Sequence, residues 1–286
     1  MKDLATSTID LPGGALEFRD SGGGGPLVVF VHGIFVDGRL WDAVWPEVAA
    51  AGYRCVMPNL PLGAHRLPLD QAADRSPTGQ SRRVADLIRA LGADSAVLVG
   101  NDSGGAISQI LTAEQPEVVD RLILTSTDAF NHFPPTAFKP LPLLARSPAL
   151  FRLVLWGLTR KPVRRIQLPV SFGVVSIKPI PDDLLDDWFA GPFEDPAVLL
   201  DVAGFASGMK ASLTLGAAEK LKEFPRPALV AWSADDRFFP VSDGKKLASI
   251  IPQGRFVLIE DSYTFSMIDQ PEALSEAIVS FLNETD

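Results

Sequence analysis

Six apolar runs, "PLVVFV", "RCVMP", "AVLVG", "RLILTS", "ALVAWS" and "RFVLIE", recur from Pro26 onward with helical stretches between them. A strand with one wet face alternates polar and apolar residues. These runs leave no face for water, so they predict a parallel sheet with helices on both sides, an α/β fold. Before them, Thr6 to Ile9 and Ala15 to Phe18, joined through "LPGG", predict a hairpin, and Gly22 to Gly25 a flexible turn. A chain of 286 residues can bury one large core. Its 47% hydrophobic and 21% charged residues exclude a disordered chain.

Helix signals punctuate the runs. Ser76 followed by Pro77 is an N-cap with proline at the first helical position, and Gly92 closes that helix after Leu91. A helix from about Gly105 to Glu114 stops before Pro116, and Pro271 opens a last helix whose Leu274, Ile278, Phe281 and Leu282 share one face. Between Thr127 and about Ala217 the alternation ceases and Pro, Phe, Leu and Trp dominate. A structureless loop of that length is improbable in a compact domain, so residues 128–217 are read as a mostly helical lid on a core formed by 1–127 and 218–286. Phe130, Phe133, Phe138, Phe151, Trp156, Phe172, Trp188 and Phe189 within it imply a hydrophobic small-molecule ligand, with many of them serving as core.

Charge and cysteine usage remove several classes. The net charge of -9 argues against nucleic acid, which needs a basic face. The basic run "TRKPVRR", Thr159 to Arg165, reads as a solvated helix end. The single cysteine, Cys55, has no internal partner and reads as a buried strand thiol. The N-terminal residues lack a signal-peptide run, and no stretch reaches the roughly 18 apolar residues of a membrane span. A cytoplasmic protein with no membrane partner, no metal and no cofactor is expected, and a homodimer is left open.

The chemistry concentrates in "LVGNDSGGA", Leu98 to Ala106, where a strand gives way to a helix. A nucleophile at such an elbow needs small residues two before and two after it. Gly100 and Gly104 flank Asp102 in that way, whereas Ser103 would have Asn101 and Gly105. Asp102 is therefore the favoured working residue, and Ser103 supplies a backbone N–H for an oxyanion.

With these residues the chain resembles the α/β-hydrolase superfamily, specifically its aspartate-nucleophile branch of haloalkane dehalogenases and epoxide hydrolases. The resemblance implies an eight-stranded, mostly parallel sheet with a helical lid. "VFVHGIFVDGRLW" matches the strand and His-Gly oxyanion loop, which makes Ile34 a second oxyanion donor and places His32 and Gly33 beside it. "WSADDRFFP" matches the loop carrying the acid and selects Asp236, with Asp235 as the alternative. The resemblance also implies a general-base histidine seven residues before Pro271, but that position holds Thr264. The dehalogenase halide-binding Trp is replaced by Ser103, and the only tyrosines are Tyr53 and Tyr263.

Losing a general base costs about 10² to 10⁴ in rate. His65, just after a strand end, and His132, opening the insertion near Asp128, are the candidate replacements. Surface or structural roles compete with that reading, as they do for His32 and Asp37. Asp128 also stands where some dehalogenases carry an alternative acid. Asp102 and Asp236 without an imidazole between them would form an acid/base pair, one keeping its proton near neutral pH. That predicts non-hydrolytic acid/base chemistry, with displaced-base hydrolysis and a non-catalytic binding protein as alternatives.

Overall fold

A computed structural model describes residues 4–160, 162–163 and 171–285. Eight strands form one sheet: β1 (Thr6–Leu11), β2 (Gly14–Asp20), β3 (Leu27–Val31), β4 (Arg54–Pro58), β5 (Ala96–Asp102), β6 (Val119–Thr127), β7 (Ala228–Ser233) and β8 (Gly254–Ile259). Their order is β1-β2-β4-β3-β5-β6-β7-β8. The hairpin β1–β2 is part of the sheet, pairing antiparallel with β4, and every pair from β4 to β8 is parallel. This is the α/β-hydrolase fold that the resemblance implies.

Burial of both faces explains the apolar runs. In β3, Val28 and Phe30 pack with Trp41, Val48 and Ile278 on one side. Val29 and Val31 pack with Val84, Ile107 and Leu111 on the other, as the two-residue period of a strand requires. Cys55 is buried on β4, and burial pushes its thiol up to about 12. One run departs from expectation. β8 is the last strand of the sheet, paired only with β7, and its Arg255, Val257 and Leu258 are exposed.

The helix Pro77–Ala90 is capped as expected: Ser76 Oγ accepts from the Gly79 N–H at 3.1 Å, and Gly92 takes φ 81° beyond its end. The final helix, Pro271–Glu284, buries Leu274, Ile278, Phe281 and Leu282. The helix after β5 begins at Ser103, two residues earlier than expected, because the chain reverses at Asp102 itself.

Between β6 and β7 lie the helices Leu141–Leu144, Pro148–Leu158, Asp182–Glu194, Pro196–Gly208 and Ala211–Leu221. The last packs on Ser103–Glu114, so the expected boundary at 217/218 falls inside a helix. Asp187 ties Asp182–Glu194 to the core through ion pairs with Arg39 and Arg66. Of the basic run Thr159 to Arg165, Lys161, Arg164 and Arg165 lie outside the described residues. Among the described residues, no single helix is long and apolar enough to cross a membrane.

Candidate active site

Asp102 ends β5 at φ 51° and ψ -132°. Such a conformation costs a non-glycine residue roughly 1–3 kcal/mol and persists where its surroundings enforce it. Here Thr127 Oγ1 donates to the Asp102 carbonyl at 2.6 Å. Gly104 lets the first turn of the next helix press against the end of β3, since a Cβ there would lie 2.3 Å from the Val31 carbonyl oxygen. Opposite, a Cβ on Gly33 would lie 2.3 Å from Asp102 Oδ2, so only glycine lets the loop after β3 close over the carboxyl. The backbone N–H groups of Ser103 and Ile34 lie beside that carboxylate and favour its charged form.

Asp102 is half-buried and opens into a cavity. Burial pushes its carboxyl up to about 7; the Ser103 N–H opposes the rise and the Asp236 charge adds to it. Asp236 Oδ1 accepts from the Phe238 and Phe239 N–H groups at 2.8 Å each and from the Thr264 hydroxyl at 3.1 Å. Its Oδ2 has no well-formed hydrogen bond, and burial pushes this carboxyl up to about 6 against those donors. Asp235 is exposed, which decides between the adjacent acids.

Thr264 lines the cavity at the position where the resemblance implies an imidazole. Its carbonyl accepts from Asn101 Nδ2 at 2.9 Å, which ties this loop to the elbow strand. Asp236 therefore stands behind Thr264, not in the cavity wall, and the expected shared pocket is divided by the threonine hydroxyl.

A third carboxyl lies beneath. Asp128 is fully buried, and neither of its carboxyl oxygens has a well-formed hydrogen bond. The Ser103 hydroxyl, near both Asp128 and Asp102, makes no well-formed bond either. Burial first, and then the charge of Asp102, raise Asp128 well above the usual carboxylate range. A buried carboxyl with no cation beside it is cheaper to keep neutral than charged. Burial thus favours the neutral form of Asp128, which does not line the cavity.

The cavity measures about 60 Å³. Phe138, Leu141, Leu158 and Phe172 form its insertion side, and Phe238, Phe239 and Phe265 its core side. Ligand pockets usually span about 300–1,000 Å³, so a substrate larger than a few heavy atoms requires this wall to move. Of the eight aromatic residues expected to line a lid, only Phe138 and Phe172 do so. Phe130, Phe133, Phe151, Trp188 and Phe189 are core, and Trp156 is half exposed.

The histidines do not reach the cavity. His32 donates from Nδ1 to the Gly33 carbonyl at 2.8 Å and accepts the Leu60 N–H on Nε2 at 2.9 Å. Burial lowers it to about 4, so it is a neutral brace for the oxyanion loop. His65 is buried, contrary to a surface position. Its Nδ1 accepts from the Gly63 N–H and its Nε2 donates to Asp201, a carboxylate also bound by Arg75, and burial lowers its proton affinity. His132 pairs with Asp243 in the first turn of the helix Val241–Ile250. Asp37 is buried, caps the short helix Gly38–Trp41 and pairs with Arg39, so it does not face the cavity. The long-range partners Asp201 and Asp243 decide the fates of His65 and His132, and local sequence did not reveal them; the partner of Asp37 is the nearby Arg39. Sequence reading also missed Phe238, Phe239, Phe265 and Met209 as cavity residues. The first two had a signal, since they directly follow the acid motif.

The arrangement makes the Ser103 hydroxyl subordinate to its N–H. Ser103→Ala removes a buried, poorly bonded hydroxyl and leaves the backbone donor. It is expected to reduce turnover by less than about tenfold, because only one weak polar contact is lost. Labelling of Ser103 by a fluorophosphonate would contradict this ranking.

A model of the alpha/beta hydrolase fold family matches residues 26–271. The chain is 25% identical over 264 residues to the 2-hydroxy-6-oxo-6-phenylhexa-2,4-dienoate hydrolase of Burkholderia cepacia, covering 91% of this chain and 88% of that protein. The crystal structure of haloalkane dehalogenase DbeA from Bradyrhizobium elkani USDA94 superposes with a TM-score of 0.79 at 16% identity, over 99% of each chain. A thermophilic esterase from Thermogutta terrifontis gives a TM-score of 0.74 at 22% identity, over 98% of this chain and 99% of the esterase. At such identities the two structures speak for the fold alone.

Proposed function

Because the chain belongs to the alpha/beta hydrolase fold family and is an α/β-hydrolase-like enzyme, we propose that it acts on a hydrophobic small molecule by proton transfer at Asp102, without a cofactor. The reactions in reach are isomerisation, cyclisation, elimination and ring opening. The observation that carries this reading is the setting of Asp102. It is the one carboxyl lining the apolar cavity among the described residues, and burial holds its proton affinity near neutrality. General acid–base groups work best with a pKa near the operating pH. In the simplest cycle the Asp102 carboxylate removes a proton from substrate carbon, and the resulting carboxylic acid exchanges with solvent and delivers a proton elsewhere on the same molecule. Burial and the charge of Asp236 disfavour lasting charge on Asp102, and the Ile34 and Ser103 N–H groups keep the carboxylate form accessible.

One observation favours a second reading, covalent ester chemistry. The Ile34 and Ser103 donors address the carboxyl oxygens of Asp102, where an oxyanion would develop during hydrolysis of an aspartyl ester. Against it stands the position of His65 and His132 outside the cavity, which leaves no imidazole to activate water there.

The test is incubation in deuterated water with apolar enolisable ketones and, separately, with the anionic 2-hydroxy-6-oxo-6-phenylhexa-2,4-dienoate named for the Burkholderia relative. Intact-protein mass spectrometry runs alongside. Deuterium at carbon in the recovered small molecule, with no change in protein mass, is expected. A stable mass increase located at Asp102 would replace proton transfer by the ester route.

A further inference from the structure

The helix Pro148–Leu158 is apolar on two opposite faces, and only one is covered. Phe151 and Leu155 are buried in the core. Leu150, Leu153 and Trp156 recur at three-residue spacing on the other side and are 42%, 60% and 50% exposed. At about 100° per residue they form a stripe roughly 120° wide, centred opposite the buried pair. Leu143, on the short helix just before, is 68% exposed. A helix apolar all round is normally buried, so the uncovered stripe points to a partner.

Charge identifies the partner's chemistry. From Ala129 to Pro181 the sequence contains no Asp or Glu, yet this stretch holds eight of the 26 Lys and Arg residues of a chain whose net charge is -9. Arg146, Arg152 and Arg160 are exposed on and beside the helix. The Arg160 guanidinium lies 3.8 Å over the Trp156 ring. A symmetric contact between two copies would set these cations against each other. A Leu/Trp stripe edged by arginines instead suits an anionic lipid interface, with apolar side chains among acyl chains and guanidinium groups at the phosphates.

We propose that the helix Pro148–Leu158 docks the protein on an anionic lipid bilayer through Leu150, Leu153 and Trp156, with Arg146, Arg152 and Arg160 at the headgroups. The sequence expectation of no membrane partner rested on the lack of a span, and a helix lying in the interface needs none. Leu158, the last residue of this helix, also lines the Asp102 cavity, so docking brings the insertion-side wall next to a reservoir of hydrophobic molecules. The docking does not rest on the proton-transfer reading.

The test is co-sedimentation of the full chain with vesicles of equal phosphatidylglycerol and phosphatidylcholine, compared with phosphatidylcholine alone. Binding to the anionic vesicles is expected, weakened in about 0.5 M salt. The double variant Leu153→Ser/Trp156→Ser, at two exposed positions, should retain the wild-type circular dichroism and bind about tenfold or more weakly. Three results would overturn the proposal: no sedimentation of the wild type with anionic vesicles, equal binding by wild type and variant, or a dimer in light scattering that the variant abolishes. The last would assign the stripe to a second copy of the chain.

Discussion

Asp102→Asn should abolish turnover, by at least about 10² to 10⁴, while leaving the fold intact and raising its stability at neutral pH. The activity loss follows from removing the only carboxyl that lines the cavity among the described residues. The fold survives because asparagine tolerates positive φ better than most residues and can still accept from the Ser103 and Ile34 N–H groups. The stability gain has a defined direction with pH. Asp102 titrates near 7 in the folded protein and near 3.8 in the unfolded chain. Its contribution to stability is fully present below about pH 4 and is lost as pH rises through 7. The wild type should therefore lose stability across that window relative to the variant, by on the order of 4 kcal/mol at pH 8. Chemical denaturation at pH 4, 6 and 8 measures the difference. A variant with full turnover, or one less stable than wild type at pH 8, would contradict the role given to Asp102.

Thr264→His should convert a stalled ester into turnover. Attack of the Asp102 carboxylate on a primary alkyl bromide needs no base: an oxygen–carbon bond forms and bromide leaves. Release of the resulting ester needs an activated water, and the threonine hydroxyl, already donating to Asp236, cannot take a proton from it. The wild type exposed to 1-bromohexane should thus gain at most one hexyl group at Asp102, at pH values above 7 where the carboxylate predominates. An imidazole at position 264 would stand between Asp236 and Asp102, and the cavity beside Thr264 offers part of the added volume. Hydrolysis should rise by about 10² to 10⁴, the usual contribution of a general base. Bromide release per protein separates the cases. Multiple turnovers by the wild type would reveal a base elsewhere, and an alkylated but unreleasing, folded variant would show that position 264 does not command the water.

Much of this architecture is legible in the sequence because burial writes itself into composition. β3, β5, β6 and β7 are covered on both faces and read as unbroken apolar runs, whereas edge strand β8 has the same run with half its residues in water. The elbow is legible because close backbone approach demands glycine, and Gly104 meets the β3 carbonyls as that spacing requires. Position 264 is legible by counting back from Pro271. What is not legible depends on partners far along the chain. His65 is claimed by Asp201 and His132 by Asp243, over separations that no local pattern encodes. The missing partner of Asp128 is equally silent, since an absent hydrogen bond has no sequence signal.

The central claim is that Asp102 is a proton-transfer group tuned to neutrality by its burial. The most direct measurement is a carbon NMR titration of the labelled aspartate carboxyls, with Asp102→Asn supplying the assignment. A midpoint near pH 7 for Asp102 is predicted, falling in an Asp236→Asn variant because that neighbour's charge helps to raise it. A midpoint near the ordinary aspartate value of 3.8 would contradict the account.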